Sequence, residues 1–94
     1  MEQYETAYLE AIVDNLAASV ASGMREGATD VDLVESEDRL TASGRLWVRG
    51  YLTSRLSTFR AGTRGNPNLS QEDHEYIAEF VDEHQAGFAA QLYS

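Results

Sequence analysis

The 94-residue chain contains no cysteine, which removes disulfides and thiolate metal sites from consideration. It contains no lysine either. All seven cations are arginine, set against sixteen acids, and the formal charge is −9. Such a bias fits a GC-rich genome, including that of a phage or plasmid, or adaptation to high salt. No apolar run approaches the length of a membrane span. The first residues are acidic and lack the basic and apolar regions of a secretory leader. Neither a Walker nor a dinucleotide-binding glycine motif is present. The expectation is a single cytoplasmic domain over residues 1–94, large enough for one modest core.

What is present is charge segregated along the chain. Residues 1–38 hold ten acids and one arginine. Residues 39–71 hold six arginines and no acid, and residues 72–94 hold six acids and no arginine. Blocks of this kind bear on which surfaces a partner uses.

The cationic block contains a stretch, Arg39 to Arg55, that alternates along most of its length. Leu40, Ala42, Gly44, Leu46, Val48, Gly50 and Leu52 fall on one parity. Arg39, Thr41, Ser43, Arg45, Trp47, Arg49, Tyr51, Thr53 and Arg55 fall on the other. Successive strand side chains point to opposite faces, so the pattern predicts a half-buried antiparallel sheet with one small apolar face and one cationic, aromatic face. Seventeen residues exceed a usual strand, and Ala42-Ser43-Gly44 offers a three-residue hairpin loop that keeps parity across the turn.

The flanking segments read as follows. Leu9, Ile12, Val13, Leu16, Val20 and Met24 recur at helical spacing and predict a helix from Gln3 to Met24, with Gly23 or Gly27 as its end. Val31-Asp32-Leu33-Val34 reads as a short strand, joined through a Glu35–Asp38 turn so that Val34 pairs with Arg39 and Leu33 with Leu40. Residues 54–61 fit a helical stripe through Leu52, Leu56 and Phe59, but their Ser/Thr content and alternation favour a further strand. A loop is expected from Gly62 to Asn68. Ser70, with Asp73 three residues on, caps a last helix whose apolar stripe is Ile77, Phe80, Val81, His84, Phe88 and Leu92. The predicted fold is therefore α+β: an N-terminal helix, a three- to four-stranded antiparallel meander, and a C-terminal helix. Both helices would cover one face of the sheet.

Three groups of residues bear on function. His74 and His84, the only histidines, are ten residues apart and roughly 80° apart around one helix, a poor spacing for two ligands of one metal. His84 lies within the apolar stripe, and no catalytic elbow is present; neither an enzyme nor a metal or cofactor is expected. Arg45, Trp47, Arg49, Tyr51 and Arg55, on one sheet face, form a candidate surface for a protein partner, for a second copy in a homodimer, or for an anion or nucleic acid. The net charge disfavours direct nucleic-acid binding. Glu72, Glu75, Glu79, Asp82 and Glu83 lie mostly opposite the apolar stripe of the last helix. Five carboxylates over about twelve residues place one charge per roughly 3.6 Å, near the one per ~3.4 Å of a nucleic-acid strand. This points to a protein-binding regulator or inhibitor whose acidic face imitates nucleic acid before a nucleic-acid-handling partner. Small mobile-element proteins that block restriction or CRISPR effectors offer the analogy. The alternative is a small anion- or nucleic-acid-binding sheet module using the arginine–aromatic face.

Overall fold

The computed structural model describes residues 1–27 and 32–93. The order is α1 (Gln3–Gly27), β1 (Val34–Ser36), β2 (Arg39–Leu40), α2 (Ala42–Arg64) and α3 (Gln71–Tyr93). Of the described residues 80% are helical, and their sheet has two short strands. The three- to four-stranded meander between two helices is therefore absent among the described residues. A third helix stands in its place, and each helix packs on the other two.

The reason lies in an arithmetic coincidence. Any strict alternation also contains every fourth residue, and a repeat of four follows one face of a helix. Gly44, Val48, Leu52, Leu56 and Arg60 form the buried side of α2. The other members of the same parity on α2, Ala42, Leu46 and Gly50, are exposed. Thr41 begins the helix: its backbone is extended, and its hydroxyl accepts from the Gly44 N–H at 3.1 Å, satisfying one of the orphan donors of the first turn. Gly65, at φ 74°, ends the helix in a left-handed cap, donating its N–H to the Ala61 carbonyl as this motif does. The expected hairpin loop at Ala42-Ser43-Gly44 is thus the first turn of α2, and residues 54–61 are its interior. The loop expected from Gly62 starts only after Arg64.

The small hairpin follows α1 in the chain and packs mainly on α3. It pairs Val34 with Leu40 and Ser36 with Arg39, with an irregularity between the two pairs, and not Val34 with Arg39 and Leu33 with Leu40. The turn is tighter than expected, and the Ser36 hydroxyl bonds Asp38 across it at 2.7 Å. Val31, expected to open this strand, lies outside the described residues. The segment before β1 is tied to the start of α2. The Thr41 N–H donates to the Leu33 carbonyl at 3.0 Å, and its hydroxyl donates to the Asp32 carbonyl at 2.6 Å.

The outer helices follow their stripes. In α1, Leu9, Ile12, Val20 and Met24 are buried, Val13 is half-buried, and Leu16 is exposed; the helix runs through Gly23 to Gly27. In α3, Ser70 and Asp73 form the expected reciprocal cap, with N···O distances of 2.9 and 3.2 Å. Ile77, Phe80, Val81 and Phe88 enter the core. No helix among the described residues is long and apolar enough to cross a membrane.

A Cβ at Gly44 would sit 2.2 Å from the Leu33 carbonyl oxygen, a backbone atom that cannot rotate away. Gly44→Ala is therefore expected to lower the urea midpoint by the equivalent of about 2 kcal/mol, in the range of core overpacking. Gly62→Ala meets no neighbour within 4 Å and is expected to be neutral or slightly stabilising. Equal midpoints for the two variants would contradict this account of the α2 start.

Candidate functional site

The interior holds a charged cluster that the stripe pattern of α2 implies. Arg60 continues the series 48, 52, 56 on the core-facing side and is only 5% exposed. A cation there requires acids. Glu5 of α1 supplies both oxygens, one to Arg60 Nε at 2.7 Å and one to Nη2 at 3.0 Å. Asp73 of α3 accepts from Nη1 at 2.8 Å, and the Asn68 carbonyl accepts from the same nitrogen at 2.9 Å. Arg64 adds a contact to Glu5 at 2.7 Å. Glu5 also accepts the Glu2 N–H, and Asp73 the Ser70 N–H, so each acid serves its own helix start as well.

These contacts shift the acids in one direction. The hydrogen bond from Arg60 holds the Glu5 carboxyl below the usual carboxylate range against the opposing effect of burial. The same guanidinium, aided by the Ser70 bonds, holds Asp73 well below it. Among the described residues, no group of three or more metal-ligating side chains is present. His84 stacks on Phe80 with centroids 4.0 Å apart and contacts the Phe80 carbonyl through Nδ1 at 2.9 Å.

The five residues placed on one cationic sheet face do not share a face. On a helix they divide into two stripes roughly 140° apart, because each residue advances by about 100°. Arg45 and Arg49 border α3: Arg45 Nε lies 3.9 Å from Asp82, and Arg45 Nη1 donates to the Leu40 carbonyl at 2.7 Å. Trp47, Tyr51 and Arg55 share the other stripe, which meets α1 at Trp47. Trp47 lies against Gly23 and Gly27 and stacks on Tyr51 at 5.8 Å, while the Arg55 guanidinium is 5.8 Å from the Tyr51 ring. Trp47 and Tyr51 are half-buried.

The acids of α3 are brought together. Glu72, Glu75, Glu79, Asp82 and Glu83 are all exposed and lie within an arc of roughly 100° at the helical pitch. Glu75 accepts from Gln71 at 3.3 Å, and Asp82, still 69% exposed, faces Arg45. Tyr76, also on α3, has its hydroxyl pushed up by burial and then by Glu10 of α1 and Glu83. The chain matches no family model, no curated protein and no solved structure.

Sequence reading missed Glu5, Arg60 and Arg64 and took Asp73 for a cap alone. The available signal was an arginine on an apolar stripe.

Arg60→Met removes the cation shared by Glu5 and Asp73, leaving Glu5 with Arg64 alone, and is expected to cost about 3–5 kcal/mol in urea unfolding at neutral pH. Both carboxyls bind protons less tightly folded than unfolded. Stability is therefore full above the ordinary carboxylate range and falls as pH drops below about 4. Asp73→Asn is expected to be less stable than wild type at pH 7 and to lose less on acidification. An acid slope as steep in Asp73→Asn as in wild type would count against the cluster.

Proposed function

We propose that the chain is a non-enzymatic cytoplasmic binding protein whose α3 ridge engages the cationic groove of a nucleic-acid-handling protein. The reading places it with small phage or plasmid anti-defence inhibitors, anti-CRISPR proteins among them, that imitate nucleic acid. The observation that carries it is the uneven use of charge. Glu72, Glu75, Glu79, Asp82 and Glu83 project from one exposed helix face, and among the described residues only Asp82 of the five forms an ion pair with an arginine, at 3.9 Å. The arginines are largely engaged within the molecule. Arg60 is buried, and Arg64 contacts Glu2 and Glu5. Arg39 lies 3.5 Å from Glu35, and Arg25 donates to the Gln91 carbonyl. A partner approaching α3 meets a row of carboxylates at nearly the spacing of phosphates, on a rigid element that loses little entropy on binding. The competing sheet module has lost the sheet that grouped its arginines.

The test is affinity capture from nuclease-treated host lysate, followed by elution with duplex DNA. A protein that reads the ridge as nucleic acid is expected to leave the column when DNA is added and to bind less as salt rises. Glu75→Arg with Glu79→Arg, both at exposed positions, is expected to abolish capture, while Arg55→Ala retains it. A captured protein that survives the double charge reversal and resists DNA would overturn the proposal.

A further inference from the structure

Two adjacent turns of α2 carry residues that the single chain does not use. Leu46 is 65% exposed. Gly50 lies in the middle of the helix, and a Cβ built there meets nothing within 4 Å. A mid-helix glycine costs roughly 0.5–1 kcal/mol relative to alanine, and here no internal contact requires it. The other glycines inside the helices differ. Gly44 abuts Leu33, Gly23 and Gly27 face Trp47, and Gly87 lies against Val13. Only Gly62 is as open, and it sits in the last turn of α2. On the outside of α2 an open groove of about 600 Å³ runs past Gly50, with Leu46 toward one end and Ser57 and Leu69 toward the other.

We propose that this groove is the contact between two copies of the chain, with α2 packing antiparallel on α2 about a two-fold axis at Gly50. The groove is self-complementary in the register such an axis imposes. Leu46 stands four residues before Gly50 and Ser54 four residues after it. The axis therefore sets the Leu46 of each copy over the small residues Thr53, Ser54 and Ser57 of the other, on the side of Leu69. Each contact is made twice, as a closed two-fold interface requires. The missing Cβ at the centre lets the helix axes approach toward the short end of the usual 8–10 Å range. Charge permits the pairing. The groove lining holds no acid, so two strongly acidic chains meet there without opposing carboxylates. Its one charge, Arg49, is exposed, so that the two guanidiniums flanking the axis stay in water, where like charges repel weakly. A foreign helix would need to supply both a knob and a hollow at this spacing; a second copy already has them. The contact spans about eleven residues, or ~16 Å of helix, which places it at the small end of specific interfaces and its affinity in the micromolar range.

Sedimentation equilibrium on the full chain, from about 1 to 300 µM, brackets that affinity. Wild type is expected to pass from monomer to dimer across the range. Gly50→Leu is expected to remain monomeric throughout while keeping its helical circular dichroism and melting no lower than wild type, because the new side chain projects into open space in the single chain and favours the helix. Leu46→Gln is expected to weaken association at least tenfold. A wild type that stays monomeric at every concentration would overturn the proposal, and so would a Gly50→Leu chain that dimerises as wild type does.

Discussion

The guanidinium of Arg60 makes four hydrogen bonds at the point where the ends of three helices converge. Glu5 and Asp73 each occupy the third position of their helices, where the backbone N–H groups leave a partial positive charge. Arg60 lies toward the opposite, negative end of α2. Each charge is therefore favourable to its own helix before it meets its partners. The cluster need not make a large net contribution to stability, because the cost of desolvating the ions offsets much of the Coulomb gain. Its effect is on register. A helix that slid or turned against its neighbours would strand a charge in the core, so the starts of α1 and α3 are fixed against the end of α2.

That constraint shapes the surface. The cluster withdraws one arginine and two acids from contact with a partner, so nearly all of the chain's excess of acids, the ridge acids of α3 among them, stays on the outside. The apolar stripe that fixes α3 against α1 and α2 also fixes the direction of the ridge, which is the property a recognition surface needs. The groove on α2 lies beside the ridge, and its lining carries no acid.

Much of this was legible in the order of residues. The stripes of α1 and α3, the Ser70 cap and the arc of acids opposite Ile77, Phe80 and Phe88 all follow from the helical period. The middle of the chain was not, because alternation through Leu40 to Leu52 satisfies a strand at every second residue and a helix at every fourth. Two residues break the tie. Thr41 stands in capping position before Gly44, and Arg60 extends the fourfold series beyond the point where alternation stops. Grouping Arg45, Trp47, Arg49, Tyr51 and Arg55 by the wrong period merged two faces into one. The charged cluster was hidden for another reason: Arg60 finds its acids 55 and 13 residues away, and no local pattern records that distance.

The register claim is tested most directly by following the side-chain carboxyl carbons of Glu5 and Asp73 by NMR as the folded chain is acidified. Carboxylates held by Arg60 are expected to keep the chemical shifts of the ionised form through and beneath the ordinary midpoints near 3.9 for Asp and 4.3 for Glu. Titration of both groups at those ordinary midpoints, with the chain still folded, would show that the guanidinium does not join the three helices and would contradict the account.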